Sequence, residues 1–289
     1  MTAPETVCAV VVTHDRRELL LQCLAALRAQ TRPLDRIVVV DNASTDGTAG
    51  VLRADHADLD LLALGENLGS SGGFEAGMRH AHAIGFDWLW LMDDDTIATP
   101  TALAELLAVP GRLDGAPRPA LLTSKVVWSD GRLHPMNAPG PERVRMERVV
   151  AAAAHGLLAL RSTTFVSLLV SRGAIAEHGF PDPRYFIWSD DIEYTGRILR
   201  RDAGYLVPAS VVEHRTPTAH SAVTGAGARF YFHVRNTLYM IRGDAWDAGE
   251  KLGLALVVVT TSWQFLRRNR FRAGSLGVVA RGVRDGLRG

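Results

Sequence analysis

Residues 86–95 read FDWLWLMDDD. An apolar run rich in Trp and Leu that stops at three carboxylates predicts a buried strand whose carboxyl end meets solvent or a cation. The same beat occurs three times upstream. VCAVVVT (Val7–Thr13), RIVVVD (Arg36–Asp41) and LDLLALG (Leu59–Gly65) are apolar runs of the kind found in strands covered on both faces. Between them RRELLLQCLAALRAQ (Arg16–Gln30) has apolar residues at helical spacing and ends near Pro33. GGFEAGMRHAHAIG (Gly72–Gly85) predicts a helix behind a glycine-rich turn. Strands joined by helices in this order predict an α/β fold with a mostly parallel central sheet and helices on both faces.

Downstream, the pattern loosens from Arg112 to Arg148 around one strand, ALLTSKVVW (Ala120–Trp128). TTFVSLLVSRGAI (Thr163–Ile175) is a second apolar segment. SDDIEYTGRILRRDAG (Ser189–Gly204) has helical spacing and a glycine where the helix should stop, and YLVPASVVEH (Tyr205–His214) predicts a last strand. The expected organisation is a nucleotide-type half over 1–125, a second half over 126–215 and a helical C-terminal segment over 216–289. The 289 residues are 47% apolar and 22% charged, which excludes a disordered or fibrous chain. With 32 basic and 31 acidic residues the net charge is +1, so no nucleic-acid partner is expected. Cys8 and Cys23 fall in a predicted strand and helix and read as buried thiols of a reducing compartment. No leader-like segment precedes Cys8 and the longest apolar run, Leu252–Val259, is too short to span a bilayer, so a cytoplasmic location is expected.

Ligands of such sheets settle at the carboxyl ends of the strands. The residues there are Thr13-His14-Asp15-Arg16, Asp41-Asn42, Glu66-Asn67 and Asp93-Asp94-Asp95. One Asp after a strand is commonly a helix cap. Several such sites on one rim point to binding. Three consecutive carboxylates repel one another unless solvated or sharing a cation, and a hard Mg²⁺ or Mn²⁺ ion beside a diphosphate fits them. ENLGSSGGFEAG (Glu66–Gly77) has four glycines around a turn into a helix, where backbone N–H groups can approach a phosphate. Its spacing is not GxGxxG. Gly69–Gly73 formally matches the GxSxG nucleophile elbow, but GENLG separates the strand from Ser71, which argues against a hydrolase.

VVVTHDR, VVVDNASTDGT, ENLGSSGGF and WLMDDD, in this order, resemble the nucleotide-sugar half of family 2 glycosyltransferases, inverting enzymes of the GT-A fold. PRYFIWSDDIEYTGRILRRDAG and the following VVEH resemble the family's acceptor side, and the likeness covers most of residues 7–215. It implies a metal-dependent transfer of a sugar from a nucleotide diphosphate to a glycan, lipid-linked or small-molecule acceptor. Thr13 and Asp15 would border the nucleotide, Asp41 would accept from the base, and Asn67, Gly72 and Gly73 would line the donor pocket. Asp94 would lie nearer the donor sugar, while Asp93, Asp95 and His214 would hold Mn²⁺ or Mg²⁺. Asp191 is the expected base that takes the acceptor proton, with Asp190 its competitor, and Trp188 offers a face for an acceptor sugar. The loop HRTPTAH (His214–His220) reads as a cover for the diphosphate. FIWSDDIEYT resembles the segment of galactofuranosyltransferases and their rhamnosyltransferase relatives more than that of cellulose or chitin synthases, so UDP-galactofuranose is the first expected donor and dTDP-rhamnose the second. QxxRW, the mark of the processive relatives, is absent.

Two other readings stand beside this one. A nucleotidyltransferase shares the sheet and the carboxylate-bound cation but would carry a basic glycine-rich loop where this chain has THDRRELLL, and a catalytically silent sugar-nucleotide-binding module would share the donor site alone. Residues 251–289 hold Lys251 and seven Arg against a single acid, Asp285. Next to LGLALVVVTTSWQFL they predict a helix lying on an anionic membrane surface, at its inner face, or else an oligomer contact.

Overall fold

The computed structural model describes residues 5–113, 117–218 and 227–289. The chain runs β1 (Val7–Thr13), α1 (Arg17–Arg28), β2 (Arg36–Asp41), α2 (Thr48–Asp55), β3 (Asp60–Ala63), α3 (Gly69–Ile84), β4 (Trp88–Asp93), β5 (Thr96–Ala98) and α4 (Ala102–Leu107). It continues through β6 (Pro119–Val127), β7 (Gly140–Pro141), α5 (Met146–Ala154), β8 (Leu158–Ser162), β9 (Leu168–Ser171), α6 (Arg172–His178), α7 (Asp190–Leu199) and β10 (Ala203–His214). Helices α8 (Phe230–Arg242), α9 (Ala248–Arg268) and α10 (Ala273–Arg288) close it. The ten-stranded sheet has the order β3-β2-β1-β4-β9-β6-β10-β8-β7, with β5 beside β10. Strands β1 to β4 are mutually parallel, and β9 is an antiparallel insert between β4 and β6.

Period-two alternation explains why the β1 run is continuously apolar. Val7, Ala9 and Val11 face one core layer with Leu20, Cys23, Leu24 and Leu27 of α1. Cys8, Val10 and Val12 face the other with Phe74, Met78 and Ala81 of α3. Both cysteines are buried free thiols, and burial pushes Cys8 up to about 12. The sheet is continuous across the two expected halves, and residue 125 falls inside β6.

One local reading needs correction. The helix after Ser189 ends at Leu199, and Gly204 sits inside β10, where a side chain would meet Leu121 and Leu199 at 2.6 Å. Its smallness serves strand packing, not a helix stop. After Asp93 the chain also turns back as β5, which pairs antiparallel with the end of β10 in the register Thr96↔His214. Only three residues long, β5 carries no periodic signal.

Helix α3 lies unusually close to the sheet. A Cβ on Gly77 would fall 2.6 Å from Val10 and 2.7 Å from Val40, so glycine sets this separation. Gly77→Ala should therefore destabilise the protein by roughly 1–3 kcal/mol through overpacking. Gly50→Ala, in α2 with open space around it, should stabilise by about 0.5–1 kcal/mol. Urea midpoints of the two variants, moving in opposite directions, check this.

Candidate functional site

Strand register places the acidic and hydroxyl groups together. Thr13 pairs with Asp41 across β1 and β2, and Val12 pairs with Asp93 across β1 and β4. Because β5 doubles back, His214 arrives beside Asp95: Nε2 of His214 lies 3.1 Å from Oδ1 of Asp95, and the Arg215 N–H donates to the Asp95 carbonyl at 2.8 Å. One side-chain ligand atom from each of Asp93, Asp95 and His214 lies within 4.8 Å of the others.

Counter-charges are built around the three carboxylates. Thr13 Oγ1 donates to Asp94 Oδ2 at 2.8 Å. Arg16 Nη1 donates to Asp95 Oδ2 at 2.7 Å and to Asp94 Oδ1 at 3.3 Å. His214 Nδ1 faces Asn137 Oδ1 at 2.7 Å, an acceptor for an Nδ1–H, and Nε2 points at the acids. Burial, then Asp95, pushes Asp93 up to about 7, and burial pushes Asp94 up to about 6. Burial also opposes ionisation of Asp95, but His214 and Arg16 outweigh it and hold its pKa below the usual value.

The donor atoms suit a hard divalent cation. Asp95 Oδ1 is buried and has no hydrogen-bond partner, despite its closeness to His214. Two carboxylates and one imidazole around such an orphaned oxygen match the ligands of Mg²⁺ or Mn²⁺.

The glycine-rich turn serves a different purpose from the one expected of it. Gly72 and Gly73 lie buried within α3, where a Cβ on Gly72 would strike Leu68 and one on Gly73 would strike Val12, each at 2.6 Å. Three N–H groups at the start of α3 are taken up by the protein. Leu68 N donates to Asn42 Oδ1, Gly69 N to Asn67 Oδ1 and Ser71 N to the Phe186 carbonyl. Gly72 and Gly73 seat α3 on Leu68 and the sheet, and the helix start is fastened to the Phe186 loop. Gly69 has φ +73, and a Cβ there would lie 2.0 Å from the Phe186 carbonyl oxygen.

The remaining strand-end residues are accounted for as follows. Asp15 accepts from Thr45 N at 2.6 Å and Asp46 N at 3.3 Å, and the Thr45 bond lowers its pKa. It staples the loop after β2. Asp41 accepts from Ser44 N at 3.0 Å and turns the chain at the rim.

Asp190 and Asp191 open α7. Asp190 is buried, its Oδ2 has no partner, and burial, then Asp191 and Asp93, raises its pKa well above the usual value. Asp93 and Asp190 are thus near enough to feel each other's charge. Asp191 is half-buried, accepts from Ile192 N at 2.7 Å, and is pushed up to about 6 by burial. The preceding loop is strained: Phe186, Trp188 and Ser189 have φ of 63°, 67° and 68°. Each such residue costs about 1–3 kcal/mol, so the loop persists only where neighbours hold it. Trp188 is half-buried. His214–Thr218 of the HRTPTAH loop is described, whereas Ala219 and His220 lie outside the described residues.

Arg16, Asn42, Asn137 and Asn236 went unassigned. Arg16 and Asn42 stand at strand ends, where the strand-end rule points. Asn137 and Asn236 lie in a loop and a helix that carry no such signal.

The glycosyl transferase family 2 model matches residues 8–112. A galactofuranosyltransferase, GlfT1 of Mycolicibacterium smegmatis, is 30% identical over 95% of this chain and 94% of its own length. The chain belongs to glycosyl transferase family 2. It is a glycosyltransferase that draws on a nucleotide-sugar donor. An N-acetylglucosaminyl-diphospho-decaprenol L-rhamnosyltransferase of Mycobacterium tuberculosis is 26% identical over 91% of this chain and 95% of its own. The family's GT-A fold is matched by the crystal structure of S. aureus TarS 1–349 in complex with UDP-GlcNAc, with a TM-score of 0.63 and 14% identity over 98% of this chain and 81% of that one.

Proposed function

We propose that the protein transfers galactofuranose from UDP-galactofuranose to a hydroxyl of a lipid-linked glycan, in one displacement that inverts the anomeric carbon. The observation that supports this most is the cluster of Asp93, Asp95 and His214 at the strand-end rim, with one ligand atom of each within 4.8 Å of the others. Asp190, next to Asp191 and 97 residues further along the chain than Asp93, is raised in pKa first by burial, then by Asp191 and Asp93. Donor choice rests on the galactofuranosyltransferase relative, which is more similar than the rhamnosyltransferase one.

In this reading Asp191 accepts the proton of the acceptor hydroxyl as its oxygen bonds to the sugar's anomeric carbon. The bond to the diphosphate breaks, and its electron pair leaves with the phosphate oxygen. A pKa near 6 keeps Asp191 ionised at neutral pH yet more basic than an exposed Asp. Buried Asp190, pushed toward its neutral form, is the poorer base. Asp93, Asp95 and His214 would hold Mn²⁺ or Mg²⁺, which when bound neutralises charge on the departing diphosphate. Arg16 holds Asp94 and Asp95 in place from the other side. Thr13, Asp15, Asp41 and Asn67 frame the rim where the nucleotide would lie, and Trp188 stands before the base, where an acceptor ring would stack.

The same proposal puts the acceptor at a membrane, and α9 supports this. Leu252, Leu256, Val259 and Trp263 recur at helical spacing and are all more than half exposed. Exposed Arg267, Arg268, Arg270 and Arg272 follow at the end of that helix, beside Phe271, whose ring packs on Trp263 at 5.4 Å. An apolar stripe ending in four cations that have no acidic partner among the described residues complements an anionic lipid surface, where each cation adds about 1 kcal/mol. Among the described residues no helix is long and apolar enough to cross a membrane.

Asp191→Asn should abolish transfer while UDP binding stays intact, and the wild-type kcat should fall tenfold per pH unit below about 6. Because the folded pKa lies above the unfolded one, the wild type loses stability as pH rises from about 4 to 6, so the amide variant should melt higher at pH 8. Near-normal turnover of the variant would exclude Asp191 as base. In co-sedimentation the protein should bind phosphatidylglycerol-containing vesicles and not pure phosphatidylcholine ones, with Trp263→Glu reducing binding. A Trp263→Glu variant that dissociates a dimer but binds vesicles normally would assign the face to a second copy instead.

A further inference from the structure

Helix α8 reaches the strained loop through one buried amide. Asn236 is 0% exposed, and its Nδ2 donates to three carbonyls: Tyr185 at 3.0 Å, Ile187 at 2.8 Å and Trp188 at 2.8 Å. Its Oδ1 accepts from Arg235 Nε at 2.9 Å. The amide orientation is thereby determined, since the reverse would set oxygen against three carbonyls and NH₂ against a guanidinium donor. Arg235 Nη2 donates in addition to the Arg184 and Tyr185 carbonyls, both at 2.8 Å.

These carbonyls belong to the part of the chain that least favours its own conformation. Phe186 has φ 63° and ψ −59°, and Ile187 N donates to the Tyr185 carbonyl at 2.7 Å across it, which is the rare, strained form of the γ-turn. Trp188 and Ser189 follow with positive φ, and the Ser189 carbonyl then accepts from Glu193 N at 2.9 Å in the first turn of α7. The backbone of 186–189 therefore sets the direction from which Asp190 and Asp191 leave the loop. Strain of this kind survives only where the surroundings over-determine it. Here α8 does so, and the α3 side contributes Ser71 N to the Phe186 carbonyl.

Helix α8 is itself firmly backed. Gly282 and Gly286 let α10 approach so closely that a Cβ on either would lie 2.8 Å from Val234 or Leu238 of α8, and Phe230 stacks on Phe265 of α9 at 4.1 Å. We infer that Asn236, assisted by Arg235, is a positioning residue for the transfer: it holds the 185–189 loop in the strained form that presents Asp191 to the acceptor. This gives the C-terminal helices a part in the chemistry although they supply none of the cation ligands. The inference rests on Asp191 being the base.

Calorimetry of UDP binding with Mn²⁺, together with kcat and KM from UDP release with UDP-galactofuranose, tests it in full-length Asn236→Leu, Arg235→Met and Asp191→Asn. Asn236→Leu keeps the branched skeleton of four heavy atoms and removes both N–H donors. Its kcat should fall about 100-fold, and that of Arg235→Met about tenfold, while UDP Kd and donor KM stay within about threefold, because misplacing a base by an ångström impairs the step and not the donor site. A wild-type kcat in Asn236→Leu alongside an inactive Asp191→Asn overturns the inference. If Asn236→Leu loses UDP binding as well, Arg235→Met decides: an unchanged kcat there overturns it. Turnover retained in Asp191→Asn but lost in Asn236→Leu would instead refute the assignment of the base and leave the loop positioning some other group.

Discussion

Three adjacent carboxylates at the buried end of a strand are a standing electrostatic cost, and much of the molecule is arranged around offsetting it. Asp93, Asp94 and Asp95 follow one another without a spacer, and burial, reinforced by their neighbours' charge, drives Asp93 and Asp94 toward their neutral forms. Arg16 arrives from the end of β1 and His214 from the end of β10. With Thr13 they take up both oxygens of Asp94 and one of Asp95, and Asp95 Oδ1 stays without a hydrogen bond. A buried polar atom left unmatched is where a ligand belongs.

The same constraint explains features that look unrelated. β5 is too short to add appreciably to the sheet, yet its pairing with β10 is what carries His214 to Asp95. Glycines that look like a phosphate cradle let α3 press onto β1, β2 and the Phe186 loop. That loop is strained, leads into the acidic pair of α7, and is fastened from behind by α8. The strand-end rim, the carboxylates of α7 and the C-terminal helices are thus joined through a few backbone carbonyls, and the expected boundary at residue 125 crosses a strand of one shared sheet.

The fold was legible where burial is two-sided. β1, β2, β6 and β10 fall on the expected runs because a strand covered on both faces must be apolar throughout. Acidic strand ends were legible for the complementary reason: charge in such a place is conspicuous. What local pattern does not carry is direction and distance. Gly72 and Gly73 give the same signal whether they admit a phosphate or a neighbouring strand, and Gly204 reads as a helix stop although it lies in β10. Asn236 stands in an aromatic helix 46 residues after Asp190, and its partners are backbone carbonyls, which have no letter in the sequence. Helix α2 is eight residues long, opens from a turn-forming stretch and buries only Thr48 and Leu52, which leaves little periodicity to read.

The central claim is that Asp93, Asp95 and His214 form one divalent-cation site serving a nucleotide diphosphate. Titration calorimetry of UDP with the full-length protein, in Mn²⁺ and in EDTA, tests it most directly. Wild-type protein should bind UDP at least about tenfold more tightly with Mn²⁺, a linkage of roughly 1.4 kcal/mol, and His214→Ala should lose that difference while melting cooperatively. UDP affinity that is equal in Mn²⁺ and EDTA, or a Mn²⁺ effect unchanged in His214→Ala, would contradict the account.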